Sequence, residues 1–320
     1  MAVTLERIRE ARERISPYVA KTPMLRLKNL DAYLGCEVYV KAECMQNAGS
    51  FKLRGAMNKA LSLSREELDC GIVAASSGNH GRAISFAGQM LGAKVTVVMP
   101  NTAPAIKVKN VKALGAEVVQ CENSERFVVA DKVCAEKGAT LVPPFNDEDV
   151  MCGQGTVGLE ILEQLPEVDK VISPVSGGGL LGGLATAIRE STDKVEVYGA
   201  ESAVLPRWSV SLAAGTPTKV EQQGKNLADA LMAQIPGELC WPYVAKNAAG
   251  VAAVDNEYLL KAWKLLLMEG KVLCEPSSAI GLAAVLQGLI PVKPTDKVCF
   301  LVSGGNVAFE QLKVFEEVEI

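Results

Sequence analysis

A lysine directly follows an aromatic residue in Ser50-Phe51-Lys52-Leu53-Arg54-Gly55-Ala56, ahead of a helical stretch and bracketed by Gly49 and Gly55. Most lysines are solvated surface cations. One lowered in pKa by burial can instead attack carbonyl groups or act as a general base near neutral pH. The surroundings of Lys52 are polar without being a charge run. Three glycine-bearing loops could serve such an amine: Ser76-Ser77-Gly78-Asn79-His80-Gly81, Ser176-Gly177-Gly178-Gly179-Leu180-Leu181-Gly182-Gly183 and Ser303-Gly304-Gly305-Asn306. Glycines let a backbone approach an anion closely, and a following helix N-terminus favours negative charge, so 176–183 reads as a phosphate site. Taken literally, Gly177, Gly179 and Gly182 also match the dinucleotide fingerprint, with Glu201 lying 19 residues beyond Gly182. On this loop alone an NAD-dependent oxidoreductase stays open.

Composition narrows the chemistry. The chain has 320 residues and one histidine, His80. A zinc site with two histidines is excluded, and a Ser-His-Asp triad would have to use His80. The net charge is −4, from 33 Lys+Arg against 37 Asp+Glu, and aromatics make up 5%, which argues against a nucleic-acid-binding surface. Nine cysteines include no Cys-x-x-Cys pair and read as reduced thiols of a cytoplasmic protein. No run of about 18 apolar residues is present to span a membrane.

The elements that must position these loops alternate. The spacing predicts strands at 37–42, 71–75, 94–99, 117–121, 139–142, 168–175, 195–200 and 297–302. Helices are expected at 4–15, 53–63, 79–91, 104–114, 124–137, 154–165, 180–191, 257–269, 278–288 and 306–316, with a less regular stretch at 202–250. Alternating β and α implies parallel sheets covered by helices on both faces, here two doubly wound α/β domains. Ligands in such sheets bind at the carboxyl ends of strands, where the glycine loops fall.

Taken together, these segments resemble the fold-type II pyridoxal-phosphate enzymes, in particular the threonine/serine dehydratase and serine racemase branch. Ser50–Ala56 resembles that family's Schiff-base lysine motif, Ser76–Gly81 its substrate-carboxylate loop and Ser176–Leu180 its phosphate loop. Gly153-Gln154-Gly155-Thr156, Glu275-Pro276 and Ser303–Asn306 follow in the family's order, so the resemblance spans about residues 5–315. It implies pyridoxal 5'-phosphate held covalently by Lys52, with Phe51 beside the pyridine ring and Asn79 on its 3-oxygen. Gly177, Gly178, Gly179 and Leu180 would hold the phosphate, Ser303 would face the pyridine nitrogen, Glu275 would lie near the ring, and Gly304 would also contact the cofactor. Ser76, Ser77, Gly78, Asn79 and His80 would cradle the substrate carboxylate, with Lys52 and Ser77 as catalytic groups. The implied small domain is 66–147, inserted in a large cofactor-binding domain of 1–65 and 148–320. The family is usually dimeric or larger, so a homodimer or higher homo-oligomer is expected.

The implied activity is β-elimination of water from L-threonine and/or L-serine, giving a 2-oxo acid and ammonia. Pro144-Phe145-Asn146-Asp147 resembles the dehydratases rather than the racemases. Racemisation, with Lys52 and Ser77 on opposite faces of Cα, stays open. So does a 3-hydroxyaspartate dehydratase in which Arg207 or Arg82 selects an acidic side chain. Relatives with a divalent-cation site carry a Glu at the position of Glu201 and a carboxylate six residues on. Arg207 stands there instead, so no metal site of that kind is expected, and Arg207 is expected to pair with Glu201.

Overall fold

The computed structural model describes residues 2–76 and 78–316. Ten strands form two sheets: β1 (Met24–Arg26), β2 (Glu37–Ala42), β3 (Ile72–Ala75), β4 (Val95–Pro100), β5 (Glu117–Cys121), β6 (Thr140–Leu141), β7 (Lys170–Pro174), β8 (Glu196–Ser202), β9 (Gly250–Val254) and β10 (Lys297–Val302). The larger sheet has the order β1-β2-β10-β7-β8-β9 and the smaller β5-β4-β3-β6. All pairings are parallel except β1 with β2, so a short antiparallel edge is added to an otherwise parallel sheet. The central strands are apolar on both faces, as helix-covered parallel strands must be: Ile72–Ala75 and Val95–Pro100 are buried at every position.

Most expected elements are present within a residue or two, and four differ informatively. The helix expected at 154–165 starts six residues earlier, as Glu148–Gln164, because the Asp147 side chain accepts the Val150 amide at its N-cap. Gly153 lies inside it rather than ahead of it. The stretch at 202–250 contains helices Arg207–Ala214 and Trp241–Asn247. It leads into the edge strand β9, whose Gly-Val-Ala-Ala-Val sequence shows no alternation. The last expected helix is a 3-10 helix at Phe309–Glu316. None of the described helices is long and apolar enough to cross a membrane.

Topology sets the functional geometry. The loops after β3, β7 and β10 leave the carboxyl ends of their strands and face a cavity of about 1020 Å3 lined by residues from both sheet layers.

Candidate active site

Lys52 opens the helix Lys52–Ser62, and the turn before it is fastened to the loop after β10. Ser50 bridges Gly304, the Phe51 amide donates to the Ser303 carbonyl at 3.0 Å, and the Gly305 amide donates to the Gly49 carbonyl at 2.9 Å. Segments some 250 residues apart are thereby held in register, and Lys52 projects from a fixed backbone into the cavity. Its Nζ donates to the Pro144 carbonyl at 2.5 Å and lies 5.2 Å from the centre of the Phe51 ring. Among the described residues no carboxylate comes within ion-pair distance of it. Burial therefore lowers the amine to about 8, with the Cys240 and Glu275 side chains opposing.

The facing wall is the glycine loop. Gly178 has φ 106°, a left-handed conformation, and a Cβ there would sit 2.4 Å from the Trp208 ring. A Cβ on Gly177 would meet the Phe145 ring at 2.4 Å. Only glycine fits either position. The helix Gly179–Arg189 begins with no side-chain cap, so its first amides remain open to an anion. Trp208 donates from Nε1 to the Ser176 carbonyl at 2.7 Å and stacks on Trp241 at 5.7 Å, which fixes the loop from behind.

The loop after β10 supplies the floor. Ser303 Oγ and Ser278 Oγ are 3.0 Å apart, and Ser278 also accepts the Gly304 amide at 2.8 Å. Among the described residues the side chain hydrogen-bonded to Ser303 is thus a neutral hydroxyl and not a carboxylate. Glu275 is buried nearby, and its carboxylate accepts the Asn79 amide at 2.7 and 3.0 Å. Burial raises it to about 7, while the Asn79 hydrogen bond holds it lower than burial alone would. Asn79 Oδ1 in turn accepts from Asn306 Nδ2 at 2.7 Å.

The third wall is the start of the helix Asn79–Leu91. The Ser76 hydroxyl accepts the Gly78 amide at 3.2 Å. His80 lies against the Val142 carbonyl, Nε2 to O 2.8 Å, and its Nδ1 is buried without a hydrogen-bond partner. Burial and the nearby Lys52 charge pull it down to about 3, so it is neutral across the physiological range and holds its proton on Nε2.

Phe51, Lys52, Ser76, Gly78, Asn79, His80, Gly177, Gly178, Gly179, Leu180, Glu275 and Ser303 all line the one cavity. Ser77 lies outside the described residues. Gly304 sits one layer back, where a Cβ would meet a Glu275 carboxylate oxygen at 2.8 Å. The sequence reading missed the Pro144 carbonyl on Lys52 and the Ser278 hydroxyl under Ser303. Of the two, only Ser278 had a nearby signal, the polar Ser277-Ser278 pair after Glu275-Pro276.

Arg207 requires a correction. The expected pair forms, with Arg207 Nε 3.8 Å from Glu201 Oε2. The guanidinium is fully buried, donates to the carbonyls of Val175 and Leu231 at 3.2 and 2.9 Å, and does not line the cavity. It has no access to a substrate side chain. Burial lowers it to about 10, with Glu201 opposing. Glu201 also accepts the amides of Trp208 and Ser209 at 2.9 and 2.7 Å. No group of three or more metal-ligating side chains is found among the described residues.

Residues 15–304 match a family profile described as pyridoxal-phosphate dependent enzyme. An L-threonine ammonia-lyase of Thermotoga maritima is 41% identical over 308 residues, covering 95% of this chain and 76% of that protein. A serine racemase of Oryza sativa subsp. indica is 40% identical over 312 residues, covering 96% and 91%. The solved structure of maize serine racemase superposes with a TM-score of 0.93 at 38% identity, covering 99% of this chain and 98% of the other.

Proposed function

Because this chain belongs to the family of pyridoxal-phosphate-dependent enzymes, we propose that its cleft removes water from a β-hydroxy α-amino acid, of which L-threonine and L-serine are the simplest, to give a 2-oxo acid and ammonia. The cleft fits the cofactor on its own geometry. It has a buried amine with no carboxylate partner among the described residues, a glycine cradle that admits no side chain, and open helix amides lining the same cavity. Lys52 would hold the cofactor covalently, and the amides of Gly177, Gly178, Gly179 and Leu180 would hold its phosphate. Phe51, Asn79, Glu275, Ser303 and Gly304 would surround the ring. When bound, pyridoxal phosphate supplies the electron sink that lets a Cα proton leave.

The chain's own residues do the rest. The loop of Ser76, Ser77, Gly78, Asn79 and His80 binds the substrate carboxylate at a helix start. Lys52, with its amine near 8, takes the Cα proton onto Nζ. The Cβ–O bond then breaks, and Nζ returns its proton to the departing hydroxide as water. The enamine released becomes an imine and hydrolyses to the oxo acid and ammonia. His80, pulled down to about 3, takes no part in these transfers.

The observation that carries the proposal is the pairing of one poised amine with a neutral Ser303–Ser278 corner. A carboxylate there would favour long-lived charge delocalisation into the ring; a hydroxyl favours prompt loss of the β-substituent. Racemisation is the second reading, because a serine racemase is as similar to this chain as the threonine lyase is. It would use Ser77 as the second base. The test is the partition of L-serine between pyruvate and D-serine, followed by chiral chromatography in parallel with oxo-acid release. Elimination predicts pyruvate in excess of D-serine throughout. D-Serine forming without pyruvate would reject it.

A further inference from the structure

Arg207 is fully buried and takes no part in the proton transfers above. Its paired carboxylate, Glu201, lies 3.8 Å from Nε, beyond hydrogen-bond reach, and Nε has no hydrogen-bond partner among the described residues. Glu201 uses its oxygens on the Trp208 and Ser209 amides, at the start of the helix Arg207–Ala214. Such a buried pair is weak evidence of a stabilising role, because neutral groups of similar shape often serve as well. What the guanidinium does make is two hydrogen bonds to separate segments. Nη1 donates to the Val175 carbonyl at 3.2 Å and Nη2 to the Leu231 carbonyl at 2.9 Å.

Those two carbonyls belong to two walls of the one cavity. Val175 leads directly into Ser176-Gly177-Gly178-Gly179, and its amide donates to the Ala200 carbonyl at 2.9 Å. The entry to the glycine cradle is thus fixed to the sheet on one side and to Arg207 on the other. Leu231 lies in the stretch 229–235, all of which lines the cavity. That stretch falls between the helices Arg207–Ala214 and Trp241–Asn247, where the described residues form no further helix or strand. Side chains hold it instead. Arg207 holds the Leu231 carbonyl, Ser277 Oγ accepts the Ala230 amide at 2.9 Å, and Ser176 Oγ accepts the Ala233 amide at 3.2 Å. One rigid planar fork reaches both walls, which a compact ammonium on a flexible stem does not match.

We propose that Arg207 is a positioning residue for the cofactor: it fastens the glycine cradle to the 229–235 wall and so keeps the amides of Gly177, Gly178, Gly179 and Leu180 aimed at one phosphate. This rests on the reading that the cradle holds the phosphate of pyridoxal phosphate. Arg207 does not line the cavity, so it acts through the Val175 carbonyl, while the neighbouring Trp208 holds the Ser176 carbonyl at 2.7 Å. Its loss loosens the hold on the phosphate and leaves the covalent bond to Lys52 as it was.

The test compares pyridoxal phosphate with pyridoxal, which forms the same covalent bond to a lysine amine but has no phosphate. Dissociation constants for both would be read from the visible absorbance of wild type, Arg207→Lys and the double variant Glu201→Gln/Arg207→Met, with urea unfolding of each. The double variant leaves no buried charge at the pair, so it is expected to fold. The ratio of the two constants isolates the phosphate hold, because a general loss of stability weakens both ligands alike. Wild type is expected to bind pyridoxal phosphate much the more tightly. That preference should fall about tenfold or more in the double variant, the usual strength of hydrogen bonds to a charged group, with Arg207→Lys between. A ratio unchanged from wild type in the folded variants overturns the proposal. A wild type that binds pyridoxal as tightly as pyridoxal phosphate rejects the phosphate cradle itself, and the role of Arg207 with it.

Discussion

Lys52 draws its reactivity from what surrounds it rather than from its type. Burial opposes its charge, and among the described residues its Nζ donates to a backbone carbonyl alone. Its folded pKa of about 8 lies below the ordinary 10.5, so the neutral, nucleophilic form dominates above pH 8 instead of above pH 10.5. Covalent attachment of pyridoxal phosphate to the cofactor-free protein is therefore expected to accelerate about tenfold per pH unit up to about 8, and then to level off. Stopped-flow absorbance measures this, and a rate still climbing steeply between about pH 9 and 10 contradicts it. The lysine was legible in the sequence because its neighbours form an unusual run. The Pro144 carbonyl was not, because a carbonyl is common to every residue and this one lies 92 positions away. Arg207 was half legible. Its partner Glu201 could be named, but its depth could not, because burial depends on the packing of Trp208, Val175 and Leu231 around it.

At the scale of elements, helix contacts hold the lysine and the glycine loop opposite one another. The helix Glu148–Gln164 crosses the helix Gly179–Arg189 so closely that a Cβ on Gly183 would lie 2.2 Å from the Met151 carbonyl. The same helix is tied to the lysine helix by a buried charge network. Glu160 receives Lys41 at 2.5 Å and Arg54 at 2.7 Å, and Arg54 also pairs with Glu43 at 2.8 Å. Removing that anion strands the buried Lys41 and leaves Arg54 with Glu43 alone. Glu160→Gln is therefore expected to cost about 3 kcal/mol of stability. Urea unfolding followed by circular dichroism measures it, and a loss under about 1 kcal/mol contradicts the account. Glycine in the Gly153–Thr156 motif reads locally as a helix breaker, which is why the helix is expected to start too late. Its purpose is close helix approach, a property of two chain segments and not of one.

Over the whole molecule, the β-α alternation made the two sheets legible, since periodicity and apolar strand runs are local properties. The edge strands β1 and β9 were not, because short or unpatterned edge strands are defined mainly by their pairing partners. The site assembles from segments at 50–56, 76–82, 176–180, 275–278 and 303–306, brought together because three strands end on one side of the two sheets. We propose that this one cleft carries covalent pyridoxal phosphate on Lys52 and uses it for elimination. The most direct measurement is a visible absorption spectrum of the purified protein before and after L-threonine, with 2-oxobutyrate quantified in the same cuvette and Lys52→Ala beside it. A yellow band that shifts as 2-oxobutyrate accumulates is expected, with both absent in Lys52→Ala. A wild type that stays colourless after incubation with pyridoxal phosphate, or a Lys52→Ala variant that still forms 2-oxobutyrate at the wild-type rate, would contradict it.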